Sequence, residues 1–252
     1  MKTDQSLAQL TPEATIGQII NANTEAGELL ASIGLSVSEH ESETLRSVCQ
    51  QQQWSEVEVL KWVKKHTNGT NGNTMTQPSE TSLSNITGLS NWTEYLEREF
   101  VKPNQSLLEE LHQSFPRVLK IHGNQYTWLK DTKWHFEQFQ ENLEMYFEFE
   151  QRTFFPLVEQ LSSTKKKSLN HGVVQKLNNS FGIIQRDQDR LKRQMNTIRE
   201  KDNGFNNPAN TCSTLRIQNK NFTLLFDKLE QQFQIEADHL LPKIKKKLQA
   251  QK

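Results

Sequence analysis

Four stripes of residues with helical spacing constrain the fold of this chain more than any other feature of its sequence. The clearest stripe alternates at intervals of three and four and has one charged member: Phe136, Phe139, Leu143, Tyr146, Glu150, Phe154, Leu157 and Leu161. That spacing places all of its members on one face of an α-helix. Three further stripes lie within residues 101–122, 171–200 and 222–240. We therefore predict an all-α protein in which four long helices pack as an up-down-up-down four-helix bundle.

Composition divides the chain into three segments. Residues 67–91 read "TNGTNGNTMTQPSETSLSNITGLSN", which is poor in large apolar residues and rich in Gly, Asn, Ser and Thr. Such a composition is typical of a flexible linker. Residues 1–66 contain three short amphipathic helical patterns, with Gly34 at a helix stop, and are predicted to form a small helical domain. Residues 92–252 are predicted to form the bundle.

Charge and cysteine content limit the classes of partner. Lys and Arg together number 30, as do Asp and Glu, so the chain lacks the basic excess that binds nucleic acid non-specifically. No apolar run reaches transmembrane length, and the N-terminus "MKTDQSLAQL" lacks the apolar core of a signal peptide. Cys49 and Cys212 lie far apart, which favours a reducing compartment. We expect a cytoplasmic protein with neither a nucleic-acid partner nor a membrane partner.

Polar side chains interrupt each stripe near one level of the predicted bundle. They are Asn104, His122, Tyr146, Glu150, Gln188, Gln232 and Glu236. Each alone has an ordinary structural interpretation, such as a register-setting amide or a buried tyrosine. Together they predict a polar core, because a charge buried without a partner costs several kcal/mol. Helical bundles build metal sites from inward carboxylates and histidines, and Glu150 and Glu236 have the chemistry to bridge two irons.

Five segments share their pattern with one known family. They are "LEMYFEFEQRTFFP" (143–156), "QIEADHLLP" (234–242), "KIHG" (120–123), "NPANTCSTLR" (207–216) and residues 15–49. The first resembles Leu-Glu-x-His-Met-x-x-Glu-Glu-x-x-Leu-Phe-Pro, and the second resembles His-x-x-x-Glu followed by Leu-Phe-Pro. The third and fourth are similar to Val-His-Gly and Pro-x-x-x-Cys-Thr, and the last to a small N-terminal domain. All five patterns are those of the repair-of-iron-centres (RIC) family, so the chain resembles that family. The resemblance implies a hemerythrin-like di-iron bundle acting in recovery of damaged iron-sulfur clusters.

Carried over position by position, the resemblance implies that most ligands of the di-iron site are replaced. The histidine ligands of the family fall on Val101, Tyr146, Gln188 and Gln232. None of these side chains binds iron as an imidazole does. His122, Glu150 and Glu236 keep side chains that can hold a metal, and His239, three residues after Glu236, is a possible extra ligand.

The small domain departs from the family in the same way. Its Cys-Cys pair falls on Ser38 and Glu39, so the thiol chemistry of that pair is absent. The resemblance further implies association with a protein partner or as a homodimer. Neither a glycine-rich phosphate loop nor a nucleophile elbow is present, so a conventional enzyme is not indicated.

Two principal functions are compatible with this set of residues. The first is a degenerate RIC-like protein without a cofactor, acting as an interaction or regulatory partner in cluster repair or stress response. Gln188, Gln232 and Tyr146 would then satisfy the two carboxyl groups and His122 in a closed network, with one carboxyl protonated or paired with protonated His122. The second is a non-haem iron protein, di-iron or mononuclear, with an altered ligand set. An adaptor unrelated to the family is a third interpretation.

Overall fold

The computed structural model of the chain describes residues 7–68, 83–163 and 170–250, and these residues are predominantly helical. No strand forms among them, and the β-type pairing that they show is an isolated bridge between Thr15 and Thr44. The predicted all-α class is confirmed. Within the same residues, no helix combines the length and the apolar character needed to cross a membrane.

Four short helices occupy the N-terminal part. They are α1 (Ile16–Ala22), α2 (Thr24–Ser32), α3 (Leu45–Gln51) and α4 (Glu56–Asn68). The sequence patterns predicted three helices and missed α3. Its start is marked by Thr44, whose side chain accepts a hydrogen bond from the N–H of Ser47. Gly34 follows α2 with φ of 94°, so the predicted helix stop is confirmed.

The rest of the described chain contains four long helical segments. The first consists of α5 (Leu89–Leu96), the π-helical turn π1 (Glu97–Val101) and α6 (Lys102–His122). The second consists of α7 (Trp128–Phe149), π2 (Glu150–Phe154) and α8 (Phe155–Ser163), and the third is α9 (His171–Lys201). The fourth consists of α10 (Ser213–Ile235), π3 (Glu236–Leu240) and α11 (Leu241–Gln249).

The predicted linker, residues 67–91, differs from the structure at both of its ends. Helix α4 continues to Asn68, and α5 already begins at Leu89. Thr67 is buried, and its hydroxyl donates to the carbonyl of Val63 one turn earlier in this helix. Residues 69–82 lie outside the described part of the chain.

The first and fourth long segments run antiparallel along each other. Asn104, near the start of α6, contacts Gln232 near the end of α10, whereas His122 at the end of α6 contacts Cys212 just before α10. The second and third segments also pack along each other. Helix α4 packs on α10, and the indole N–H of Trp62 on α4 donates to a buried amide oxygen on α10 at 2.8 Å.

Candidate functional site

One repeated sequence motif accompanies the three π turns of the described residues. Each turn begins at a glutamate, and a proline follows two residues after its end, in "EREFVKP" (97–103), "EQRTFFP" (150–156) and "EADHLLP" (236–242). Proline inside an α-helix has no N–H to donate, and its ring clashes with the carbonyl four residues earlier. In each motif the residue before the proline donates its N–H to the glutamate carbonyl five residues back, which widens the turn. Turns of this kind frequently mark functional sites.

The motif also places side chains in the interior. Its fifth residue is fully buried in all three copies, as Val101, Phe154 and Leu240. Glu150 and Glu236 are fully buried too, whereas Glu97 is partly exposed and lies 3.6 Å from the ammonium group of Lys102. Two of these segments resemble the family pattern separately, and the Glu-x5-Pro spacing common to all three was not predicted. That spacing is the signal that could have predicted the turns.

Glu236 is the centre of a buried group of hydrogen-bonded side chains, which we call the carboxyl network. The hydroxyl of Tyr146 donates to Glu236 Oε2 at 2.8 Å, and Gln188 Nε2 donates to the same oxygen at 2.7 Å. Gln188 Nε2 also donates to the Tyr146 hydroxyl at 3.0 Å. Gln232 Nε2 donates to Glu236 Oε1 at 2.9 Å and to Glu150 Oε2 at 3.0 Å. These bonds join Tyr146, Gln188 and Gln232 to the two glutamates, whereas the predicted network also included His122.

Asn104 fixes the orientation of the amide of Gln232. Its Nδ2 donates to Gln232 Oε1 at 3.3 Å, so the NH₂ group of Gln232 must face the two carboxyl groups. Two oxygens of the carboxyl network, Asn104 Oδ1 and Glu150 Oε1, are buried and have no hydrogen-bond partner among the described residues when Glu150 is ionised. The carboxyl groups of Glu150 and Glu236 lie within hydrogen-bonding reach of each other. A proton between the two carboxyl groups would give Glu150 a hydrogen bond to Glu236.

The surroundings of the two carboxyl groups affect their pKa values differently. Burial, followed by repulsion from the charge of Glu236, raises the pKa of Glu150 well above its ordinary value. Burial also raises the pKa of Glu236, but hydrogen bonds from Tyr146, Gln232, Glu150 and Gln188 oppose that rise. Glu236 accepts three hydrogen bonds from these side chains and Glu150 accepts one, so a proton shared by the two carboxyl groups is held more favourably by Glu150. Burial raises the pKa of Tyr146 well above its ordinary value, so its hydroxyl stays a donor.

The residues of the carboxyl network do not fit a di-iron centre. Iron sites in helical bundles combine carboxylates with imidazoles. Among the described residues, no cluster of three or more His, Cys, Asp and Glu side chains is arranged to hold a metal ion. A cation between Glu150 and Glu236 would meet the amide hydrogens of Gln188 and Gln232, which already point at the carboxylate oxygens.

His122 lies far from the carboxyl network, contrary to the prediction. It lies at the opposite end of α6 from Asn104. A helix rises 1.5 Å per residue, so the two residues are about 27 Å apart along the axis. Its Nε2 lies 3.1 Å from Cys212 Sγ, and its ring stacks on that of Tyr126. The predicted pairing of a carboxylate with protonated His122 is wrong for the same reason. Alternation at intervals of three and four shows which face of a helix a residue lies on. It does not show which residues on neighbouring helices lie at the same level.

Other candidate residues also lie outside the carboxyl network. His239 is half-buried within π3, and its ring stacks on Trp92 with centroids 5.1 Å apart. In the widened turn it is Leu240, and not His239, that faces the interior. The prediction that His239 lies one turn from Glu236 on the same face therefore does not apply. Ser38 and Glu39 occupy an exposed turn between α2 and α3.

A cavity of about 220 Å³ opens between α7 and α9, beside the carboxyl network. Its lining consists of Asn142, Met145, Tyr146, Arg186, Asp187, Arg190 and Leu191. Tyr146 belongs to both the cavity wall and the carboxyl network, and Gln188 keeps 8% of its surface exposed. Solvent therefore approaches the carboxyl network most closely on this side.

Comparisons with known proteins were made with the whole chain. No protein-family model matches it, and no curated protein matches it. A function therefore has to be argued from the residues of the site.

Proposed function

We propose that this chain is a degenerate RIC-like protein in which hydrogen-bonded side chains fill the di-iron position, and that it acts as an interaction or regulatory partner in iron-sulfur cluster repair. One observation carries the proposal. Tyr146, Gln188 and Gln232, which occupy three of the histidine positions of the family, all donate hydrogen bonds to Glu236. Random loss of ligands would leave buried carboxyl oxygens without donors, at a cost of about 1–3 kcal/mol each. The replacements instead supply donors to both oxygens of Glu236 and to one oxygen of Glu150.

The fourth replaced position is filled in a different way. Val101 is fully buried at the end of π1 and packs in the hydrophobic core. Its branched apolar side chain offers no lone pair to a metal and needs no hydrogen-bond partner. The four replacements together favour a stable interior over a reactive one.

The side-chain contacts support the hemerythrin-like four-helix bundle as the architecture of residues 92–252. The carboxyl network draws on all four long segments, through Asn104 on the first, Tyr146 and Glu150 on the second, Gln188 on the third, and Gln232 and Glu236 on the fourth. Convergence of four helices on one interior cluster is what a bundle produces. The packing of α4 on α10 supports residues 1–66 as a small domain that docks on the bundle.

The burial of the carboxyl network supports a role as partner over a role as enzyme. Glu150 and Glu236 are fully buried, and the donors around Glu236 are already engaged. A substrate would have to displace those donors before it reached either carboxyl group. Binding would then occur on the surface, as a homodimer or with another protein of the repair system.

One observation favours a second candidate, a mononuclear metal site with altered ligands. The buried oxygens Asn104 Oδ1 and Glu150 Oε1 both lack a partner when Glu150 is ionised. Oxygen atoms in that state attract a cation or a proton. Protonation of Glu150 satisfies one of them without a metal, so the degenerate protein is the better-supported candidate.

Iron loading tests the proposal directly. The full chain is purified anaerobically, offered excess ferrous iron and desalted, and its metal content is measured by elemental analysis. A matched variant restores the histidines: Val101→His, Tyr146→His, Gln188→His and Gln232→His. We expect little retained iron in the native chain and roughly two irons per chain in the restored variant, as in a di-iron bundle. Roughly two irons in the native chain would overturn the proposal, and about one would select the mononuclear site.

Two controls complete the experiment. Helicity measured by circular dichroism shows whether the restored variant folds, and single Gln188→His provides a milder change if it does not. The partner role is tested by recovery of an iron-sulfur enzyme after peroxide stress in cells without the protein. Recovery should be slow, and it should be rescued by the native chain and by Glu150→Gln. Recovery at the normal rate would argue against a role in repair.

A further inference from the structure

Cys212 and His122 form a second polar cluster at the far end of α6 from the carboxyl network. His122 Nε2 lies 3.1 Å from Cys212 Sγ, and the backbone N–H of Cys212 donates to the same nitrogen at 3.5 Å. Because a backbone N–H can only donate, Nε2 is the unprotonated nitrogen of the ring. His122 is 6% exposed and stacks on Tyr126 at 5.6 Å, whereas Cys212 is partly exposed. A buried base therefore faces an accessible thiol.

The surroundings of this cluster favour attack by the sulfur. Burial lowers the pKa of His122, which keeps its imidazole neutral and able to accept a proton. Cys212 is the N-cap residue of α10, a helix of 23 residues, and unpaired N–H groups at a helix start stabilise negative charge. The guanidinium of Arg216, one turn later, lies close enough to interact electrostatically with Cys212. A thiol beside a base and near positive charge is the arrangement of reactive cysteines.

The other cysteine of the chain provides an internal comparison. Cys49 is fully buried, and burial raises the pKa of its thiol to about 12. A thiol in that state is a poor nucleophile. Reactivity within one molecule should therefore differ strongly between Cys49 and Cys212.

We propose that Cys212 is a redox-modification site whose thiol is oxidised by hydrogen peroxide with His122 as the general base. The sulfur attacks one peroxide oxygen, the O–O bond breaks and an S–O bond forms. His122 takes the thiol proton and delivers it to the departing hydroxide, which leaves as water. Sulfur loses two electrons and peroxide gains them, giving a sulfenic acid. A small free thiol then condenses with the sulfenic acid, releasing water and forming a mixed disulfide.

The position of Cys212 connects this chemistry to the docking of the N-terminal helices. The carbonyl of Thr211 accepts a hydrogen bond from the indole N–H of Trp54 at 3.2 Å. On the other side, the Ser213 hydroxyl accepts from the N–H of Ser55 at 3.2 Å. A mixed disulfide on Cys212 would stand between these two contacts and weaken both. Oxidation would thereby release the small N-terminal domain from α10.

Trapping of the sulfenic acid tests the proposal on the full chain. Protein is exposed to hydrogen peroxide with dimedone present, and adducts on Cys49 and Cys212 are quantified by mass spectrometry. We expect Cys212 to be modified at least about tenfold faster than Cys49, and His122→Gln to slow it by about a hundredfold, the scale of general-base catalysis. His112→Gln, on an exposed histidine of the same helix, is the matched control and should change nothing.

A second measurement keeps the test decisive if His122→Gln does not fold. The rate at Cys212 in the native chain is compared with its rate in the same chain unfolded in urea. A thiol activated by His122 reacts more slowly after unfolding, whereas a thiol that is merely shielded reacts faster. Faster reaction on unfolding, or equal rates for His122→Gln and the native chain, would overturn the proposal. The result is independent of iron loading, because the two sites lie at opposite ends of α6.

Discussion

Glu150→Gln and Glu236→Gln make the same chemical change at two buried carboxyl groups, and we expect them to affect stability very differently. An amide resembles a protonated carboxyl group, with one acceptor oxygen and one donor. At residue 150 the new NH₂ group donates to Glu236 as the acid does, and its oxygen still accepts from Gln232. At pH 5, close to the pKa of an unfolded glutamate, we expect Glu150→Gln to change the free energy of unfolding by less than about 1 kcal/mol.

Glu236→Gln introduces a conflict that the first variant avoids. Glu236 Oε2 accepts from Tyr146 and Gln188, and Oε1 accepts from Gln232, so both oxygens serve as acceptors. The amide of a glutamine at residue 236 has an oxygen on one side only. Its NH₂ group would therefore face one of the donors that now bind Glu236. One orphaned buried donor costs about 1–3 kcal/mol, and the remaining bonds lose their charge. The expected loss is about 3 kcal/mol, which lowers Tm by roughly 6–12 °C for a chain of this size.

The two variants also differ in how stability depends on pH. Because folding raises the pKa of Glu150, the folded chain holds this proton more tightly than the unfolded chain does. The stability that this proton contributes is fully present below the pKa of the unfolded state, near 4.5. It is lost as the pH rises towards the pKa of the folded state. Glu150→Gln removes that decline and should gain stability relative to the native chain between pH 5 and pH 8.

Urea unfolding followed by far-ultraviolet circular dichroism at pH 5 and pH 8 measures both effects. The assignment of the proton to Glu150 is refuted if Glu150→Gln is destabilised as much as Glu236→Gln. Equal stability of all three proteins would refute the carboxyl network itself as a source of stability. Retained helicity in each variant shows that the comparison concerns one fold.

Two further substitutions test buried groups at opposite ends of the structure. Tyr146→Phe removes a donor to Glu236 and should lower the free energy of unfolding in urea by about 1–3 kcal/mol. The hydroxyl of Tyr126 has no hydrogen bond among the described residues, so Tyr126→Phe should cost little, and equal losses would contradict the role of the Tyr146 hydroxyl. Asp202 is buried beside Thr132, and burial raises its pKa to about 7. The stability that this proton confers is lost as the pH rises from about 4 to about 7. The free energy of unfolding of Asp202→Asn should therefore exceed that of the native chain by roughly 2–4 kcal/mol at pH 8 and by much less at pH 4. A difference that does not depend on pH would contradict this.

Most residues of the candidate site could be predicted from the sequence, but His122 was wrongly included among them. Tyr146, Glu150, Gln188, Gln232 and Glu236 were all identified from their places in the stripes, and the structure brings them together. A polar residue within an apolar stripe has to face the interior, so helical periodicity alone was sufficient for this step. The same reasoning wrongly placed His122 in the site, because its stripe runs along the whole of α6 and passes beyond the level of the carboxyl network.

The predicted role of His239 failed for a local reason. A glutamate and a histidine three residues apart share a face of a regular α-helix. The proline at residue 242 converts this turn into a π turn, which rotates His239 towards Trp92. The prolines were visible in the sequence, and the structural meaning of their spacing from the glutamates was the missing step.

The sequence alone determined which residues form helices, which face of each helix is buried and where prolines widen the turns. These are local properties, because they depend on backbone hydrogen bonds and side-chain direction within a few residues. Tertiary structure decided which of the inward polar residues meet, since the height of one helix against another is set by packing along its whole length. It also decided the protonation of Glu150, because the pKa of a carboxyl group depends on how completely all the surrounding helices exclude water.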